Sequence, residues 1–193
     1  YQSGKKNGVF SRWYESGAKE GKGSFKNDLP DGEFLGWHES GGESYVSKLI
    51  NGKMVGTTTS WYENGQKTVE RHFKNGLSEG IFTAWFENGK KKKEEYYKDG
   101  KLEGLSKGWN KNGQKMNEFH YKNGKAEGLE THWYLSGEKM REVFHKNGKR
   151  DGLKTFWFPS GGKMQETPYK NGEKDGLTTV WYESGNKESE VLW

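Results

Sequence analysis

Residues 128–149 read GLETHWYLSGEKMREVFHKNGK, and the reading of this stretch decides the fold. The run 129–134 is rich in β-branched and aromatic residues, the composition of a strand. Ser136-Gly137 marks a turn, 138–145 a second strand, and Asn147-Gly148 another turn. Asn-Gly is a strong hairpin signal, because a type I′ turn needs positive φ at both central residues. Asn64-Gly65, Asn88-Gly89 and Asn112-Gly113 give the same signal at the first turn, and Asn75-Gly76, Asn123-Gly124 and Asn171-Gly172 at the second. A helix interrupted by glycine this often would be too short to persist.

Outward from this stretch, the pattern repeats every 24 residues: Trp13, Trp37, Trp61, Trp85, Trp109, Trp133, Trp157 and Trp181 stand in one column. Gly8, Gly32, Gly56, Gly80, Gly104, Gly128, Gly152 and Gly176 precede them, and a second glycine follows each Trp by four residues. A fixed period without insertions signals tandem copies of one supersecondary unit. The expected fold is all-β: eight tandem 24-residue β-hairpin repeats in an elongated, twisted, mostly single-layer antiparallel sheet, with residues 1–193 as one array. Tyr1, Phe25, Leu49, Phe73, Tyr97, Tyr121, His145, Tyr169 and Trp193 form a further column that begins mid-repeat. A segment excised from a longer precursor is therefore expected.

If both turns are two-residue loops, Tyr134 faces Lys139, Trp133 faces Met140, His132 faces Arg141 and Thr131 faces Glu142. Trp109 with Met116 and Trp157 with Met164 would repeat the Trp–Met pair. The Trp and Leu columns are expected on the more protected face, and the glycine before each Trp strand is expected to permit a bend. The Trp column has a structural role in this reading, since large rings in register supply burial to a thin sheet. Tyr14, Tyr62, Phe86, Tyr134, Phe158 and Tyr182 form a less constrained column and are the candidate partner-binding residues. Lysines facing them, such as Lys19 opposite Tyr14, are the alternative cover for those rings.

Composition narrows the function. Hydrophobic residues make up 29% and charged ones 31%, too polar for a two-layer core, while 15% aromatics in register oppose disorder. The net charge of +5 is spread along the array and reads as a solvated lysine-rich surface. With no cysteine, disulfide and thiol chemistry are excluded, and no apolar run is long enough to span a bilayer as a helix. The compartment stays open, with the cell envelope or secretion slightly favoured over the cytoplasm.

No catalytic constellation, cofactor motif or metal-ligand spacing stands out. His38, His72, His120, His132 and His145 occupy different columns and read as satisfied or exposed side chains. Glu70, Glu94, Glu118, Glu142, Glu166 and Glu190 recur in copy after copy, which suits a solvated strand face beside lysines better than a catalytic pair. Lys90 to Lys93 runs directly into Glu94 and Glu95, a local ion-paired surface rather than a specific nucleic-acid site.

The pattern G-L-x-T-x-W-Y-x-x-G-x-K, followed by an aromatic residue and Lys-Asn-Gly, resembles the MORN repeat variant, and within it the repeats of YwqK-type bacterial antitoxin proteins. Segments 80–100, 128–148 and 176–193 carry it most clearly. Copy two departs with His38, Glu43 and Ile50, and copy five with Asn110. The resemblance implies a non-enzymatic β-hairpin scaffold that binds a protein partner through an aromatic and lysine surface, with toxin neutralisation as one form of this. Binding of a cell-surface glycan or an anionic phospholipid membrane is the alternative. Unpaired strands at the two ends would also invite edge-mediated self-association.

Overall fold

A computed structural model describes residues 4–193, so the first member of the Tyr1 column lies outside the described residues. The described residues contain strands and turns and no α-helix. They form two compact units, one ending at Lys101 and the other beginning at Leu102. Each unit is a run of antiparallel hairpins. In the first, Gly8–Trp13 pairs with Lys19–Lys26, Gly32–Trp37 with Glu43–Ile50, Lys53–Trp61 with Lys67–Lys74, and Leu77–Trp85 with Lys91–Lys98. In the second, Gly104–Trp109 pairs with Lys115–Lys122, Gly128–Trp133 with Lys139–Lys146, Lys149–Trp157 with Lys163–Lys170, and Leu177–Trp181 with Lys187–Leu192.

The two turns of a copy are built differently. At Asn147-Gly148 both residues have positive φ, 54° and 83°, and Lys146 stands opposite Lys149, as a two-residue I′ loop requires. At the other turn only Gly137 is left-handed, with φ of 94°. The Gly137 amide donates to the Tyr134 carbonyl and the Tyr134 amide to the Glu138 carbonyl, which makes a longer loop ending in a glycine bulge. The register shifts between His132 and Trp133, so Trp133 faces Lys139 and not Met140. Trp109 likewise faces Lys115, and Trp157 faces Lys163, which corrects the expected Trp–Met pairs. Asn64 and Asn88 are not left-handed; their side-chain oxygens accept from the amides of Gln66 at 3.0 Å and Lys90 at 3.1 Å. Asparagine serves here as a side-chain turn former rather than as the first I′ residue. Beyond the bulge the expected register holds, with His132 opposite Arg141 and Thr131 opposite Glu142.

All eight glycines before the Trp strands have positive φ, from 71° to 133°. Register irregularities accompany them, as between Val143 and His145. The irregularity at this column is a bulge, the kind of feature that bends a strand.

Burial is divided between the faces: Thr83, Thr131, Thr155 and Thr179 are buried on the Trp–Leu face, but the expected stripe of covered leucines is absent. Leu105, Leu129, Leu153 and Leu177 are 39–50% exposed. The more covered face carries the Phe25, Phe73, Tyr97, Tyr121, His145 and Tyr169 column instead. The bulge explains the difference. It re-aims the indoles toward the lysines of the loop side, so no protected Trp–Leu stripe forms. In the first unit Phe10, Phe25 and Phe34 pack together with centroids 5.4–6.1 Å apart. The Arg71 guanidinium lies 4.9–5.5 Å from the ring centres of Phe73, Phe82 and Tyr97. Val143 is the only hydrophobic side chain fully buried among the described residues. One layer of strands has solvent on both sides, so close cross-strand pairs replace a conventional core.

Candidate functional site

The Tyr column is tied into the repeat architecture. Tyr14 donates its hydroxyl to the Trp37 carbonyl at 2.8 Å, Tyr62 to Trp85 at 3.0 Å, and Tyr134 to Trp157 at 2.7 Å. Each bond reaches the Trp of the next copy. His38, one of the departures in copy two, holds the Trp61 carbonyl in the same way through Nε2 at 2.9 Å. Phe86 and Phe158 have no hydroxyl and are partly buried, and Tyr182 is 53% exposed.

Lysines complete the link. Lys19 lies 5.2 Å from the centre of the Trp37 ring, and so covers the next indole rather than Tyr14. Lys67 over Trp85, Lys115 over Trp133, Lys139 over Trp157 and Lys163 over Trp181 repeat the arrangement at 4.7–5.9 Å. Lys115, Lys139 and Lys163 also pair with Glu118, Glu142 and Glu166 of their own strands. The glutamate ladder is therefore an ion-paired strand face. Removing one hydroxyl bond is expected to cost about 1 kcal/mol. Tyr62→Phe should lower the urea midpoint accordingly, while Tyr182→Phe, which has no following indole within these residues, should leave it unchanged.

In the second unit this face carries an apolar row, interrupted by His120 between Leu105 and Leu129. Leu105, Leu129, Phe144, Leu153, Leu177 and Leu192 are 39–76% exposed and share one side of the sheet. Lys122, Lys146 and Lys170 end the adjoining strands on the same side. Lys122 stands directly opposite Lys125 and Lys146 opposite Lys149, whereas Lys170 faces Glu173. Like charges placed so destabilise a sheet slightly. The nearby acids do not relieve them all: Glu103, Glu127 and Asp151 accept from the turn amides of Asn123, Asn147 and Asn171 at 2.7–3.2 Å.

The opposite face of this unit holds a charged cluster that the separate histidine columns hid. Alternation and the register place Glu130, His132, Arg141, Val143, His145 and Lys154 on one side. One Glu130 oxygen meets His132 Nε2 at 2.8 Å and the Arg141 guanidinium, and the other meets His145 Nε2 at 2.8 Å. Burial raises the Glu130 pKa, but hydrogen bonds from both histidines and the charge of Arg141 outweigh it and hold it at about 2. The Lys154 pKa is pushed down by burial and by the cations Arg150 and Arg141. The His132–Arg141 pairing was legible in the sequence; the convergence of His145 on Glu130 is a diagonal contact, with His145 opposite Gly128 and Glu130 opposite Val143, which a reading of directly facing pairs passes over. Among the described residues, no group of His, Asp and Glu is arranged to hold a metal ion.

The MORN repeat variant family matches residues 6–27, 54–75, 78–99, 102–123, 150–171 and 174–193. These segments cover most of the chain, and the chain belongs to this family. Segments 30–51 and 126–147 fall between the matched ones. The first contains His38 and the second the Glu130 cluster, although by spacing 128–148 reads as a clear copy. No curated protein matches the chain. Proteins of the family are repeat scaffolds, generally without enzymatic activity, that bind proteins or membranes.

Proposed function

We propose that this chain is a non-enzymatic scaffold that binds a protein partner on the apolar row of the second unit. The partner is amphipathic: its apolar side covers Leu129, Phe144 and Leu153, and its acidic flank meets Lys122 and Lys146, each of which faces another lysine. The observation that supports this reading is a contiguous row of large exposed apolar side chains bordered by like-charge lysine pairs. Single exposed apolar residues are ordinary, but contiguous ones bordered by polar residues mark interaction surfaces. Opposed lysines cost stability in the free chain, and a partner carboxylate would offset that cost. Of the candidate Tyr column, Tyr134, Phe158 and Tyr182 belong to this unit; the Tyr134 hydroxyl is engaged by the next copy, and Tyr182 is the exposed member. A toxin held and masked through such a surface belongs to this class of partner.

The test is co-purification from extract with the wild type and with the triple variant Leu129→Ser, Phe144→Ser, Leu153→Ser. Circular dichroism should show that the strands survive, because these side chains are already 40–50% exposed. One defined protein should be retained by the wild type and lost, by at least about tenfold, from the variant. Equal retention by both would refute the reading. Flotation with anionic vesicles, dependent on the same residues and without a protein partner, would favour a membrane ligand instead.

A further inference from the structure

We infer that the second copy of the repeat holds a receptor site for a protonated amine, a lysine side chain of a basic peptide segment, between the Trp61 indole and the Glu43 carboxylate. The site lies in the first unit, so it goes beyond the apolar row of the second and shares no residue with it. The chain itself shows what fits on these indoles. Lys19, Lys67, Lys115, Lys139 and Lys163 each start the second strand of a copy and place their ammonium 4.7–5.9 Å from the centre of the next Trp ring. All but Lys19 also pair with a carboxylate three residues on, Glu70, Glu118, Glu142 or Glu166. The recurring arrangement is an ammonium held by an indole and a carboxylate. Among the joints inside the two units, the one after copy two departs. Glu43 faces Trp37 as Lys67 faces Trp61, so it occupies the lysine position, and Val46 takes the place of the glutamate.

The rest of this joint is intact. His38 Nε2 holds the Trp61 carbonyl at 2.9 Å, Tyr45 pairs with Ser60, and Val46 pairs with Thr59. The Trp61 indole therefore stands where the capped indoles stand, and it is only partly covered. Lys67, whose backbone faces Trp61, is drawn away to Glu70 and the Trp85 ring. Ser44 stands in the column of Thr68, Met116, Met140 and Met164 and is smaller than any of them, which leaves room beside the ring. Glu43 is exposed and forms no ion pair among the described residues. A carboxylate gains nothing from the negative face of an indole, whereas an ammonium set between the two is attracted by both. Glutamate is also shorter than lysine, so its carboxylate stops short of the ring and leaves space for that ammonium. Glu39 and Glu63, exposed in the turns that follow Trp37 and Trp61, extend the negative field along this edge. Such a field suits a run of basic residues better than a lone small amine.

The probe is an acetylated, amidated peptide of alternating glycine and lysine, titrated into the isotope-labelled 193-residue chain and followed by nuclear magnetic resonance. The indole N–H signal of Trp61 is identified by its loss in Trp61→Phe. It should shift saturably, while that of Trp85, which carries its own lysine, should stay in place. Glu43→Gln should weaken binding by about threefold, the size of a lost surface ion pair. Glu43→Lys supplies the ammonium from within the chain, so it should abolish the shift and leave the urea midpoint at or above that of the wild type. A peptide with acetylated lysines should not bind, and butylamine should bind at least about tenfold more weakly than the lysine peptide. No saturable movement of Trp61, equal movement of Trp85, or binding that survives Glu43→Lys would each overturn the inference. Butylamine binding as tightly as the peptide would overturn the basic segment as the occupant. Every readout is confined to the first unit, so none depends on the apolar row or its partner.

Discussion

Replacing Glu130 by Gln should destabilise the second unit by about 2–3 kcal/mol near neutral pH, and the loss should vanish in acid. The carboxylate is only 12% exposed and neutralises one side of a group containing Arg141, Arg150 and Lys154. Without it, these cations face one another on a partly dry sheet surface. Gln keeps the shape and some hydrogen bonds but not the charge. The Glu130 pKa lies at about 2, below the ordinary 4.5, so its contribution is fully present above pH ~4.5 and is lost as pH falls from there through about 2. A drop of this size is equivalent to about 3 kcal/mol. Urea unfolding of wild type and Glu130→Gln at pH 7 and pH 2 measures both. Equal stabilities at pH 7 would show that the cluster is not a source of stability.

The first unit should be as sensitive at Gly23. A Cβ placed there would lie 2.5 Å from ring carbons of both Phe10 and Phe34. Those rings also contact Phe25, so neither can swing away without opening the aromatic cluster. Backbone strain is not the cause, because Gly23 does not have positive φ. Overpacking of this kind costs about 2–3 kcal/mol for Gly23→Val. Gly42→Ala is the control: nothing lies within 4 Å of its added Cβ, and its φ is ordinary. Hydrogen exchange should show faster opening of Lys19–Lys26 in the Gly23 variant alone. Unchanged exchange there would mean that the cluster adjusts freely.

Loss of the carboxylate and addition of the methyls act on the same face, which is the nearest thing to a core in either unit. Its composition explains why it was hard to foresee. The column containing Phe73, Tyr97, His145 and Tyr169 looks less regular than the invariant Trp column. Regularity pointed to the indoles as the protected side chains, yet Trp13 is exposed, the others are only partly covered, and Trp37, Trp85, Trp133, Trp157 and Trp181 are capped by a lysine from the preceding copy. The Tyr column was similarly ambiguous. A strand-face tyrosine reads alike whether its hydroxyl meets solvent, a partner or a carbonyl 23 residues away.

What the chain determined by itself was the repeat, the strand and turn identities, and the register beyond the bulge. The 24-residue glycine and Trp columns act locally, through φ preferences and alternation, and these need no distant contact to be read. Only the tertiary structure decided which face is covered, where Tyr14, Tyr62 and Tyr134 send their hydroxyls, and that Glu130 gathers His132, Arg141 and His145. The pairing of Trp133 turns on one added residue at the loop, which shifts the register there, while the Tyr hydroxyls and the Glu130 cluster depend on contacts between copies and across diagonals that sequence spacing does not display.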